Sequence, residues 1–126
     1  MTQYVLLAQP DDKKILKFFV SPGKFWTFSY QETQEESLEK KIKIFLKAQK
    51  ASFQVVKGFY EPLGDSGFLS LVILKDDFSS LSLTQLNFSE LIKIVSPPRL
   101  RLVYLKALQI LSEANPEGMQ AYEIKR

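Results

Sequence analysis

The 126-residue sequence holds no cysteine and no histidine. Without thiols or imidazoles it has no disulfides, no thiolate or imidazole metal site, no cysteine nucleophile and no triad that runs through an imidazole base. It also lacks any block of five or six like charges. Lys and Arg number 17 against 14 Asp and Glu, for a net charge of +3 and a pI near 9.1, a mild excess that does not by itself demand nucleic acid. Long apolar runs are missing too. The longest, residues 68–74, is far below the roughly 20 residues of a spanning helix, and the apolar segment 100–111 carries Arg101 and Lys106. No membrane span is expected. The N-terminus has no cationic start and only a short apolar run over residues 4–8, so no export signal is expected and the cytoplasm is the default compartment.

What is present fits an ordinary globular domain. Hydrophobic residues make up 45% and charged residues 25%, and a chain of this length forms one domain that buries about two-thirds of its unfolded surface. Residues 4–8 and 15–20 are β-favouring runs on either side of Gln9-Pro10-Asp11-Asp12-Lys13, whose turn chemistry predicts a hairpin. Ser21-Pro22-Gly23-Lys24 reads as a second turn before an aromatic strand over residues 25–30. From 34 to 50 the period becomes helical, with Leu38, Ile42, Phe45, Leu46 and Gln49 in one stripe and Thr33 and Glu36 at capping-box spacing. Strand patterns return over 53–61 and 67–75, flanking Pro62-Leu63-Gly64-Asp65-Ser66, and a half-buried edge strand is expected over 80–86. A short helix over 89–95 and a longer one over 98–114 follow, the second opening on prolines that a first helical turn tolerates. Residues 115–126 read as a short strand or a loose tail. No internal repeat or low-complexity linker interrupts the series, so the whole chain, residues 1–126, is expected to be a single α+β domain: a mixed β-sheet packed between helices.

Four groups of residues invite chemistry. Glu32, Glu35, Glu36 and Glu39 gather at the start of the first long helix. Grouped carboxylates suit Mg²⁺ or Mn²⁺, but acidic residues there also complement the helix dipole, and Glu36 with Lys40 and Glu39 with Lys43 have ion-pair spacing, which is the favoured reading. Lys40, Lys43, Lys47 and Lys50 form a basic stripe that would attract phosphates, yet stacking aromatics are not interleaved with it, so a solvated face is favoured over nucleic-acid binding. Phe25, Trp26, Phe28 and Tyr30 crowd the aromatic strand. Alternation sets Trp26, Phe28 and Tyr30 on one face, as core or, at Trp26 and Tyr30, as the lining of a pocket for a flat ligand. Ile44, Leu102 and Leu105 lie off the apolar stripes of their helices and mark a surface for a protein partner or a homodimer.

The order of these elements, with Gly23 before Trp26, a helix opening at Glu36-Ser37, Phe53-Gln54-Val55-Val56 and a late Leu-rich helix, resembles the Nudix fold, an α/β/α sandwich. That family's box reads G-x5-E-x7-R-E-U-x-E-E-x-G-U, with U aliphatic. Laid ungapped on this chain, Glu36 meets the first glutamate and Leu46 the aliphatic position. Tyr30 stands at the first glycine, Ile44 at the arginine, Phe45 at its glutamate, Ala48 and Gln49 at the glutamate pair and Ala51 at the second glycine. In the family the glutamates at the positions of Phe45, Ala48 and Gln49 would carry the divalent metal that activates water on a diphosphate-linked substrate. The resemblance therefore implies a Nudix-like domain with no catalytic residues, no resident metal and no cofactor, which binds a nucleotide-type ligand through Trp26, Tyr30, Glu36 and Gln49 or a protein partner. Two other functions fit the residues: a divergent Mg²⁺- or Mn²⁺-dependent hydrolase of nucleoside diphosphate derivatives, and a nucleic-acid binder that uses the lysine stripe.

Overall fold

Residues 2–31, 37–46, 53–57, 67–74, 83–95, 98–102 and 104–106 are described by the structure, a computed structural model. The segment of densest apolar content runs up its middle. Strand β5 (Gly67–Leu74) pairs in parallel with β1 (Thr2–Pro10), from Thr2 beside Gly67 to Ala8 beside Ile73. Both have buried residues on two faces, which is why their apolar residues run on instead of alternating with polar ones. On the outer side of β5 lies antiparallel β4 (Phe53–Lys57), with Phe53 beside Leu74 and Lys57 beside Ser70. The expected hairpin of the 53–61 and 67–75 segments is thus present, and its turn lies outside the described residues.

The other side of β1 is divided between two strands. Its C-terminal half pairs antiparallel with β2 (Leu16–Val20), Leu7 beside Phe19, as the first hairpin requires. Its N-terminal half pairs antiparallel with β3 (Phe28–Gln31), Val5 beside Phe28. Strand β6 (Thr84–Leu86) adds to β2 and forms that edge of the sheet. The sheet is therefore mixed, with one parallel pair among antiparallel ones.

Alternation along β1 divides the core in two. Leu6 and Ala8 join Leu16, Phe18, Val20, Leu69, Leu71 and Ile73 on one face, covered by Leu91 of α2 (Phe88–Ile94), by Val95 at its C-cap, by Leu100 at the end of a 3₁₀ turn (Pro98–Leu100) and by Tyr104. Val5 and Leu7 join Val72 and Leu74 on the other, covered by Ile42 of α1 (Leu38–Leu46) with Leu38 and Leu46 beside it. Helical segments on both faces of a mixed sheet make the α+β class plain.

Local chemistry sets the connections. In the first turn the Asp11 carboxylate accepts the backbone N–H of Lys13 at 2.8 Å and of Ile15 at 2.9 Å, and Lys14 takes the left-handed conformation at φ 63°. The Ile15 N–H foremost, with Lys13 and Lys17 helping, holds the Asp11 carboxyl below its ordinary range. In the second turn Pro22 precedes Gly23, which has φ 76° and open space around it, so glycine is there for its backbone freedom alone. Helix α2 begins with the reciprocal capping box of Asn87 and Glu90. Helix α1 begins at Leu38, later than periodicity predicted. Ser37 is its N-cap and accepts the Lys40 N–H at 3.2 Å, and the expected Thr33 and Glu36 box lies outside the described residues.

Two packing expectations are corrected. Strand β3 starts at Phe28, not at 25, because residues 25–27 form a bend, so Trp26 does not share a strand face with Phe28 and Tyr30. Phe45 is 36% exposed. It stands at the margin of the α1 stripe, whose centre is the fully buried Ile42.

Candidate functional site

The place where β2 and β3 part along β1 is closed by one threonine. Thr27, 1% exposed, donates its N–H to the Val5 carbonyl at 2.7 Å, and its Oγ1 accepts the Leu7 N–H at 2.9 Å while donating to the Phe19 carbonyl. A side chain thereby fills the ladder position that neither flanking strand supplies, and the buried amide of Leu7 keeps a partner. Ser21 reinforces the fork: its N–H bonds the Trp26 carbonyl and its hydroxyl donates to the Thr27 carbonyl.

Around the fork the aromatics divide between the two faces. Trp26 is half-buried, edge-on to Tyr4 at 4.9 Å and to Phe25 at 4.6 Å between ring centroids, with the Lys24 ammonium 5.6 Å from its ring. Tyr4 and Phe25 pack on the face covered by α2. There the buried Tyr104 hydroxyl donates to the Phe25 carbonyl, and burial pushes its pKa up. Phe28 and Tyr30 pack on the opposite face, where Phe28 stacks on Phe45 at 4.7 Å and the Lys41 ammonium lies 5.7 Å from the Tyr30 ring. Trp26 and Tyr30 are therefore not brought together as the walls of one pocket.

Of the other candidate residues, Lys40 and Lys43 are exposed on α1, and Glu39 pairs with Lys43 at 3.6 Å as the spacing predicts. Such a solvated pair contributes little. Glu32, Glu35, Glu36, Lys47, Gln49 and Lys50 lie outside the described residues. No group of three or more acidic, His or Cys side chains converges among the described residues, and none of their helices is long and apolar enough to cross a membrane.

Several large apolar side chains are exposed on the described helical segments. Ile44 is 61% exposed on α1, Ile94 is 42% exposed at the end of α2, and Leu102 and Leu105 are 63% and 42% exposed on the helical residues after the 3₁₀ turn. Ile44, Leu102 and Leu105 are the three that helical periodicity had put off the core stripes. Sequence reasoning missed Ile94, although its neighbours Leu91 and Val95 carry the buried positions of that turn. It missed Thr27 as well, whose only signal is a small polar β-branched residue inside an aromatic run. No protein-family model, curated protein or solved structure matches this chain.

Proposed function

We propose that this chain is a non-catalytic interaction domain of Nudix-like α/β/α architecture that binds a protein partner through its helical layers. The exposed apolar side chains supply the main support. Both layers bury an apolar stripe on the sheet, yet Ile44, Ile94, Leu102 and Leu105 stay exposed beside it. The architecture rests on the α+β element order. The lack of hydrolysis rests on Phe45, whose ring stands at a metal-ligand position of the aligned Nudix box and stacks on Phe28; a phenyl group offers a divalent cation no oxygen.

The test pairs Ile44→Lys with Leu102→Lys, both on exposed positions. Melting temperatures should stay near that of the wild type, while native size exclusion of cell extract should show one or both variants released from a larger species. Variants that co-migrate with the wild type in that species contradict the reading. A phosphate-release assay over nucleoside diphosphate derivatives with Mg²⁺ or Mn²⁺ should show no turnover, and turnover that disappears in Glu36→Gln overturns the claim of a non-catalytic domain.

A further inference from the structure

We infer that the helical layer of α2 and residues 98–102 and 104–106 docks an acidic, apolar segment of a partner protein. This inference rests on the interaction-domain reading and assigns it a face and a ligand chemistry. Leu102 and Leu105 are three residues apart on one helical side. Arg101 joins them to α2: its Nη2 donates to the Lys93 carbonyl at 3.4 Å, next to Ile94. The bond sets the helical residues that carry Leu102 and Leu105 beside the end of α2 that carries Ile94.

Charge selects the occupant. Residues 88–106 hold Lys93, Arg99, Arg101 and Lys106 against Glu90 alone, a net +3 that equals the whole chain's 17 against 14. The remaining sequence is balanced. Glu90 is engaged by the Asn87 N–H in the capping box, and Lys93 stands exposed beside Ile94. A carboxylate at the rim would meet the exposed Lys93 ammonium in a charge-assisted contact. A second copy of the chain fits poorly, since a two-fold contact would set one positive patch against another. An anionic lipid surface shares the charge logic, but Leu91, Val95, Leu100 and Tyr104 commit the main apolar stripe to the core, and three side chains are little to embed in a bilayer.

The probe is a helical peptide with a leucine stripe flanked by glutamates, followed by fluorescence anisotropy against the full chain. The same peptide with lysines in place of the glutamates is the control, and phosphatidylserine vesicles form a separate arm. The acidic peptide should bind and weaken with salt, and the lysine peptide should not bind. Lys93→Glu should weaken binding about two- to fivefold, as expected for one exposed charge pair, and Leu102→Lys by about tenfold or more. Circular dichroism on each variant shows that the fold is kept, and Leu102→Ala provides a milder second truncation. Equal binding of both peptides, no binding of the acidic one, or vesicle binding in its place overturns the inference. If Ile44→Lys still dissolves the cellular complex while the acidic peptide fails, the interaction-domain reading stands and only this face is lost; failure of both removes the two together.

Discussion

Replacing Thr27 with valine keeps the shape of the side chain and removes the one hydroxyl that closes the sheet fork. The Leu7 N–H would lose its acceptor and the Phe19 carbonyl a donor, in a place where Thr27 is 1% exposed and water has no access. An orphaned buried amide costs about 1–3 kcal/mol, and a carbonyl with a second lone pair costs less, so Thr27→Val should lose about 2–4 kcal/mol. That is a large part of the roughly 5–15 kcal/mol of a typical domain. Thr27→Ser keeps both hydrogen bonds and gives up one methyl, about 1 kcal/mol. Urea melts of the three proteins measure the difference, and amide exchange at Leu7 should quicken in the valine variant well beyond its neighbours in β1. A valine variant as stable as the wild type, or less damaging than serine, would refute the role of the hydroxyl.

Trp26→Ala should cost about 2–4 kcal/mol, below the full cost of a wholly buried aromatic because the ring is half-buried but loses two edge contacts; an unchanged melting temperature would make it a surface ring. Lys14 sits in the left-handed region, so Lys14→Gly should stabilise by about 0.5–1 kcal/mol in thermal melts, and a lower melting temperature contradicts this. Asp11 is an acid whose pKa is lowered on folding, so its contribution is complete above the ordinary carboxylate range and fades as the pH falls through the lowered value. Asp11→Asn keeps an acceptor without that titration and should flatten the acid limb of stability against pH; an identical limb contradicts it.

Much of this architecture is written in short-range patterns. The Pro-Asp-Asp segment, the Pro22-Gly23 turn, the β-favouring runs of β1, β2 and β5, and the α1 stripe centred on Ile42 each report local energetics that the tertiary structure keeps. What the patterns could not show is long-range. Period-two alternation carried back through Trp26 assumes an unbroken strand, but the bend at residues 25–27 resets the phase, so Trp26 and Tyr30 attach to different cores. The sharing of one edge of β1 by β2 and β3 follows from pairing across the chain, and Thr27 gains its role only from that geometry. Ser37 caps α1 because its backbone leaves the helix there, although the charge pattern around it continues. The exposed surface was more legible: Ile44, Leu102 and Leu105 stand out from the helical period alone, whereas Ile94 and the partly exposed Phe45 needed coordinates.

Photo-crosslinking in the cell addresses the interaction surface directly. A crosslinking amino acid placed at Leu102 or Ile44, on the helical layers, or at exposed Thr84 on the sheet edge, reports which surface meets another protein. The account predicts discrete adducts from one or both helical positions and none from Thr84. Adducts from Thr84 alone, or none from any position, would contradict it.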